Sequence, residues 1–330
     1  MTNMKDKMIE TIKKYNLIEP KDKIVLGVSG GPDSISMLNI LNEIKEEFNF
    51  EIYVAHVNHM IREEAEDDEK YVQRYCEKNN IQFFVKRIDV QQIANTEKRG
   101  TEETGRKVRY EFFEEVMQKV GANKIAIAHN KNDKIETIIM NLLRGSGILG
   151  LKGIEPIRDN KYIRPLIDCE RQEIEQYCED NKLNPRIDKT NFENDYTRNK
   201  IRNIIIPYIK EEFNPNIIET LDRLSQVATE ESNYVDKQTN KIYQDLLIEE
   251  TQNQIILKLK EFNEQEKVIK GRIILLATKQ LMGSTQGIEK IHIEDIIKLC
   301  NNNIGNKFLT PNKNIKFLVK DKKLYIRRNV

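Results

Sequence analysis

Along the first 150 residues the spacing of apolar positions switches repeatedly between two periods. Lys23 to Val28 is a short apolar run that ends in a glycine-rich turn, and the next segment carries Ile35, Leu38, Leu41 and Ile44 at helical spacing. The alternation recurs: residues 51–57 read as a strand, 64–79 as a helix, 81–90 as a strand, 102–120 as a helix, 123–129 as a strand and 133–144 as a helix. Such alternation predicts an α/β fold, a parallel sheet with helices on both faces. Helices then dominate residues 170–241, with 222–241 as a long connector. Apolar runs at 254–259, 315–319 and 324–327 around a helical stretch at 271–281 predict a small α+β domain. The expected organisation is one domain over 1–215, then a helical linker and α+β domain over 216–330. No repeat or low-complexity tract is visible.

Composition narrows this picture. A chain of 330 residues exceeds what one compact core usually organises, which favours two domains. No apolar run approaches the roughly 18–20 residues of a membrane helix, and Met1 to Lys14 lacks a signal peptide's apolar stretch, so no membrane partner is expected. Cys76, Cys169, Cys178 and Cys300 are scattered with no Cys-x-x-Cys pair, which points away from a thiolate metal centre and toward a reducing, cytoplasmic setting. The formal net charge of +1 means that nucleic-acid contact has to come from local basic patches.

The strongest chemical signal is Ser29-Gly30-Gly31-Pro32-Asp33-Ser34, between the first strand and the first helix. Two glycines let the backbone fold tightly with several N–H groups facing a ligand. Ser34 and the helix start add donors and the positive end of a dipole, and Ser29 adds a hydroxyl, a set suited to polyphosphate. Asp33 repels phosphate by itself and makes sense where it holds Mg²⁺ against phosphate oxygens. An ordinary strand-to-helix turn also uses Gly, Asp and Ser, but the whole hexapeptide after an apolar strand favours the phosphate loop. Gly145-Ser146-Gly147-Ile148-Leu149-Gly150 matches a dinucleotide fingerprint, yet it follows a helix rather than a strand and reads as a helix exit.

Further blocks line up behind that loop. His56-Val57-Asn58-His59 ends the second strand, with Arg62 close behind, where a ligand crevice is expected. Glu102 with Arg109, and Arg106 with Tyr110, sit at helical spacing, either as a solvated helix face or as part of a site. His129 ends a strand, and Asp133 and Glu136 share one face of the next helix's first turn. Those carboxylates could cap the helix, hold an ammonium group or hold a metal. Arg144, Arg164 and Asp188 to Asn191 follow, then Tyr196-Thr197-Arg198-Asn199-Lys200-Ile201-Arg202 and Pro207. That basic, aromatic-flanked segment suits phosphate contact and base stacking, or is simply a charged helix face.

The hexapeptide resembles the signature of the PP-loop ATP pyrophosphatases, which implies cleavage of ATP to AMP and pyrophosphate with AMP placed on a substrate oxygen. Taken in order from Lys23 to Pro207, and more thinly to Arg327, the blocks resemble the tRNA(Ile)-lysidine synthases. That resemblance implies ligation of L-lysine to C2 of the wobble cytidine of a CAU-anticodon tRNA(Ile), changing codon reading from AUG to AUA. It implies ATP contacts at Ser29 to Ser34, His56, Arg62 and His129, and Mg²⁺ at Asp33 and Asp133. Catalytic roles fall on Asp33, Arg109, Asp133 and Glu136, with lysine held by Asp133, Glu136 and Arg109. tRNA contacts fall on His59, Arg144, Tyr196, Arg198, Asn199 and Arg202, and on the second domain; a homodimer is left open. Two departures stand out: Gly105 occupies a helical position where the family usually has alanine, and the family's second C-terminal domain has no counterpart before Val330. Rival readings are another PP-loop enzyme, such as a tRNA thiolase or an ammonia-using synthetase, and a non-catalytic ATP- or tRNA-binding module.

Overall fold

The computed structural model describes residues 3–60, 65–186, 196–302 and 307–329. The chain divides into two compact units, Met1–Ala228 and Thr229–Val330. Strands β1 (Lys23–Gly27), β2 (Glu51–Asn58), β3 (Gln82–Arg87), β4 (Lys124–Ile127), β5 (Ile157–Arg158) and β6 (Tyr162–Ile163) form the first sheet, in the order β3-β2-β1-β4-β6-β5. All pairings are parallel except β5 with β6, a two-residue hairpin at the edge. The helices of this unit are α1 (Met4–Lys14), α2 (Pro32–Ile44), α3 (Ala65–Lys78), α4 (Val90–Glu97), α5 (Thr101–Val120), α6 (Lys131–Leu143), α7 (Ile148–Leu151), α8 (Arg171–Asp180), α9 (Thr197–Lys200) and α10 (Ile206–Glu212). The long helix α11 (Ile217–Leu246) contains the point where the units divide.

The expected parallel sheet with both faces covered is what the chain forms. Ile24 and Leu26 turn to one side and pack with α1 and α2 through Met8, Ile12, Ile35, Leu38 and Leu41. Val25, one residue out of phase, turns to the other side and packs with Phe112, Phe113 and Val116 of α5. This alternation is why the strands read as continuous apolar runs: both faces are buried. Gly27 permits the close approach of α5, since a Cβ there would stand 2.6 Å from Phe113 Cζ. The run at 81–90 yields a strand only to Arg87, because Asp89 caps α4 by accepting from the Gln92 amide.

In the second unit, β7 (Leu247–Glu250), β8 (Gln254–Lys258), β9 (Lys307–Asn312), β10 (Ile315–Lys320) and β11 (Lys323–Arg328) form an antiparallel sheet ordered β7-β8-β11-β10-β9. Its inner residues Ile255, Leu257, Phe317, Leu324 and Ile326 pack on α12 (Leu259–Asn263), α13 (Lys267–Met282) and α14 (Lys290–Asn302). No helix among the described residues is long and apolar enough to cross a membrane.

At the amino ends of β1 and β4 lies a buried ion pair, Lys124 Nζ to Asp22 Oδ2 at 2.8 Å. Lys124 also donates to the Leu17 carbonyl, and Asp22 accepts from the Glu19 amide and the Asn123 side chain. Burial pushes the Asp22 carboxyl up, but these donors outweigh it and hold the group below its ordinary value. Removing one partner strands the other charge, so Lys124→Met is expected to cost roughly 3–5 kcal/mol in chemical denaturation. Because the native value lies below the unfolded one, Asp22 contributes fully above about pH 4, and its contribution is lost as pH falls through the lowered native value. Gly105 offers the opposite test: a Cβ there would meet His59 Cε1 and Val90 Cγ1 at 3.6 Å, ordinary contact. Gly105→Ala is therefore expected to raise stability by about 1 kcal/mol, read as a higher denaturation midpoint.

Candidate active site

The order β2-β1-β4 reverses the direction of winding at β1, so the connections leaving β1 and β4 at their carboxyl ends diverge and leave a crevice. The loop after β1 is shaped from within. Gly30 has φ +96°, a conformation that favours glycine. The buried Ser34 hydroxyl accepts from the Ser29 and Gly30 amides at 3.2 Å each and donates to the Gly31 carbonyl at 3.0 Å. Gly31 N–H reaches Ser29 Oγ at 3.4 Å, and Arg186 N–H holds the Gly30 carbonyl at 3.0 Å. Three amides expected to face a phosphate, those of Ser29, Gly30 and Gly31, are thus used to shape the turn. The donors left by helix geometry are those of the first turn of α2 after Pro32, at Asp33 and Ser34, which lie beyond the reach of intrahelical acceptors.

The loop after β4 meets the first at a single side chain. Asn130 is fully buried and caps α6, its Oδ1 accepting from the Asp133 amide at 2.9 Å. Asp133 Oδ2 accepts the Asn130 amide in return at 3.1 Å, a complete capping box. The other end of the Asn130 amide, Nδ2, donates to Asp33 Oδ1 at 2.8 Å. Burial, reinforced by the negative charge of Asp133, pushes the Asp33 carboxyl up to about 6. Asp33 and Asp133 thus set two carboxylates beside the first turns of α2 and α6, joined through Asn130.

Glu136, one turn along α6, is 1% exposed and forked by Arg202, whose Nε lies 2.6 Å from Oε1 and Nη2 2.9 Å from Oε2. Arg202 Nη2 also reaches Asp133 Oδ1 at 3.1 Å, and Arg198 Nε stands 3.4 Å from Glu136 Oε2 while its Nη2 donates to Thr137 Oγ1. Burial raises the Glu136 carboxyl, and the Arg202 bonds work against that rise. Arg202 lies in a π-helical segment, Ile201–Ile205, between α9 and α10. Pro207 has no N–H for the helix ladder and its ring crowds the carbonyl four residues back, a cause for the wider turn in which Ile206 N–H bonds the Ile201 carbonyl.

Across the crevice the groups are basic or neutral. Arg164 is buried, contacts the Glu155 carbonyl and donates from Nε to His129 Nδ1 at 3.2 Å. His129 Nδ1 therefore accepts, and its proton sits on Nε2. Burial drives the His129 value down to about 3, despite Asp133 and with help from Arg164, so this ring is neutral. His56 is buried and donates from Nδ1 to the Val28 carbonyl at 2.8 Å, beside the base of the loop. Burial lowers it as well, which leaves Nε2 as an acceptor. Arg109 keeps exposed surface, yet the surrounding protein and then the like charge of Arg106 lower its value, the mark of a side chain in a crevice open on one side.

The structure therefore brings Asp33, Asp133, Glu136, Arg198, Arg202 and His129 together around the two helix starts. Arg198 and Arg202 turn inward to carboxylates, while Tyr196 is 49% exposed. Arg144 is exposed at the far end of α6, about 16 Å along the axis from Asp133. His59 lies against Gly105 of α5. Arg62 and Asp188 to Asn191 lie outside the described residues. Sequence reasoning passed over Asn130 and gave Arg164 no role, although the Asn-x-x-Asp spacing at 130–133 is a readable capping signal. A depression of about 480 Å³ lined by Tyr53, Phe83, Phe84 and Lys119 sits at the opposite, amino end of β2 and β3, away from these groups.

Residues 1–209 match the PP-loop domain family. The tRNA(Ile)-lysidine synthase of Clostridioides difficile (strain 630) is 48% identical over 311 residues, covering 94% of this chain and 67% of that protein. The protein of the same name from Clostridium acetobutylicum is 49% identical over 306 residues, covering 92% and 66%. The chain belongs to the tRNA(Ile)-lysidine synthase family. It spans about two thirds of the length of these lysidine synthase relatives. Among solved structures, the U34-tRNA thiolase NcsA of Methanococcus maripaludis superposes with a TM-score of 0.56 at 21% identity, covering 68% of this chain and 78% of that one, a likeness of fold.

Arg202 is the principal neutralising partner of a carboxylate with almost no access to water. Arg202→Met is expected to destabilise the fold by about 3 kcal/mol in urea titration, and Glu136→Gln added to it is expected to restore part of that loss.

Proposed function

We propose that this chain uses ATP to join the ε-amine of L-lysine to C2 of the wobble cytidine of a CAU-anticodon tRNA(Ile), releasing AMP and pyrophosphate. Family membership supports the reaction. The observation that carries it to these residues is the meeting of two helix N-termini, with Asp33 and Asp133 hydrogen-bonded through one amide at the β1–β4 crevice.

In the first step the cytidine O2 attacks the α-phosphorus of ATP; the O2–P bond forms as the bond to pyrophosphate breaks. In the second, the lysine nitrogen bonds to C2 and the C2–O bond breaks, with AMP as leaving group. A carbonyl oxygen leaves poorly and AMP leaves well, which is the purpose of the first step. The loop from Ser29 to Ser34 lies where the phosphates are expected, with the first-turn amides of α2 as donors. Asp33 and Asp133 would hold Mg²⁺, whose chemistry when bound is to neutralise the phosphate oxygens. Neutral His129, with its proton on Nε2, can donate to a nucleotide without adding charge.

Lysine enters as an ammonium ion and must lose a proton before it attacks. Asp133 and Glu136 are the proposed recipients of that ammonium, and burial raises Glu136 toward a better proton acceptor. Both are paired with Arg202, so the amine shares these carboxylates with a guanidinium. Arg109, crowded by the positive Arg106 and Arg198, is the proposed partner of the lysine carboxylate, since an anion there relieves the repulsion. Tyr196, His59, Asn199 and Arg144 are the proposed RNA contacts, with Tyr196 accessible for stacking. A thiolase of the iron–sulfur kind is disfavoured: the four cysteines are buried, and no cluster of three or more His, Cys, Asp or Glu suited to a metal occurs among the described residues.

Incubation with ATP, Mg²⁺, tRNA(Ile) and labelled lysine is expected to place one lysine on the tRNA, seen by nucleoside mass analysis. Asp33→Ala and Glu136→Ala are each expected to slow incorporation by roughly 100-fold or more. Pyrophosphate release that is indifferent to lysine, or full incorporation by either variant, would sink the assignment.

A further inference from the structure

We infer that Asn130 is a positioning residue whose side-chain amide fixes the Asp33 carboxylate against the first turn of α6. The inference rests on the function proposed above and adds to it a residue with no role in the sequence reading.

Asn130 does two jobs with the two ends of one amide. Oδ1 takes the Asp133 amide at 2.9 Å and Nδ2 gives a hydrogen bond to Asp33 Oδ1 at 2.8 Å. Its backbone N–H and carbonyl are also engaged, with Asp133 Oδ2 at 3.1 Å and the Lys134 amide at 3.2 Å. The partners fix the orientation of the amide. Turned over, its oxygen would face the Asp33 carboxylate and its NH₂ would face an N–H. The side chain is fully buried, so water cannot replace either bond cheaply.

Capping alone does not explain asparagine here. Serine, threonine and aspartate cap helices about as well, and each would supply the acceptor that the Asp133 amide needs. What they lack is a second, donating end aimed at Asp33. Aspartate would be worse than neutral, placing a third carboxylate beside Asp33 and Asp133. An amide is the side chain that satisfies a helix amide and a carboxylate together while adding no charge. It also ties the first turn of α2 to the first turn of α6, so the two carboxylates are set relative to each other by one rigid group and not by two independent rotamers.

Asn130→Asp separates the jobs, because it keeps the cap and removes the donor. The new buried carboxylate is expected to lower the melting temperature without loss of the fold, whereas Asn130→Ser, which adds no charge, is expected to melt near the parent. ATP affinity in the presence of Mg²⁺, and lysine- and tRNA-dependent pyrophosphate release, are each expected to fall by roughly 100-fold, the size of effect that a misplaced reacting group produces. The same substitution in an Asp33→Ala background is expected to change ATP affinity by no more than about twofold, since the residue through which it acts is gone. Should Asn130→Asp fail to fold, Asn130→Ser keeps the cap without a new charge and replaces it in the cycle. Unchanged ATP affinity in Asn130→Asp, or equal losses with and without Asp33, would overturn the inference. A parent enzyme that binds ATP but ignores lysine would overturn the proposed function instead, and the affinity cycle would still decide the role of Asn130.

Discussion

Two carboxylates of like charge must stand at the mouths of two helices that leave neighbouring parallel strands, and most of the surrounding architecture answers that constraint. The strands place them: β1 and β4 are paired, so whatever follows their carboxyl ends is brought to one crevice. The helices partly compensate them, because Asp33 and Asp133 both fall in a first turn, where the positive end of the helix dipole favours negative charge. The residual repulsion shows in Asp33, whose carboxyl is pushed well above its ordinary value by burial and by Asp133. Asn130 then ties Asp33 to the first turn of α6 with a neutral amide, and Arg202 joins Asp133 to Glu136 with a fork of charge.

From that arrangement follows a division of the crevice by charge. Asp33, Asp133 and Glu136 lie toward the starts of α2 and α6, whereas Arg106, Arg109 and Arg164 stand on or beside α5 and the edge hairpin. Between them His129 is kept neutral, first by burial and then with help from the cation behind it. Arg164 donates into His129 Nδ1, and a second proton on that ring would have to displace the bond and face a guanidinium. Acids on one side thus face guanidinium groups on the other.

How much of this was legible in the sequence depended on whether its cause was local. The hexapeptide from Ser29 to Ser34 carries its own geometry, since the positive φ of Gly30 and the return bonds of Ser34 span five residues. The capping box of α6 is equally local, but Asn130 looked like part of a loop because its second partner, Asp33, is 97 residues away. Arg202 read as an RNA phosphate contact or part of a charged helix face for the same reason, with Glu136 lying 66 positions upstream. Periodicity found the buried strands β1, β2 and β4, whose residues are apolar on both faces. It missed β5 and β6, which are two residues long, and β7 and β9, whose side chains are largely outside the core. It also ran β3 onward into α4, because Ile88 and Val90 continue the apolar run across the Asp89 cap.

The segment from Thr197 to Glu212 connects local chemistry to long-range placement. A regular α-helix already brings residues four apart to one face, which is how Arg198 and Arg202 converge on Glu136. Pro207 denies the ladder a donor, and the wider π turn over Ile201–Ile205 spreads one revolution over more residues, so each advances less around the axis. What lies beyond the π segment therefore faces differently from what lies before it. Ile201 and Ile206 stay in the apolar cluster with Ile135 and Ile138 of α6, while Tyr208 and Phe213 emerge exposed. The same proline that lowers helix regularity thus lets one helix present guanidinium groups to α6 over its first half and an apolar anchor at its middle. A strictly regular helix would keep a single stripe throughout and lose register with one of the two.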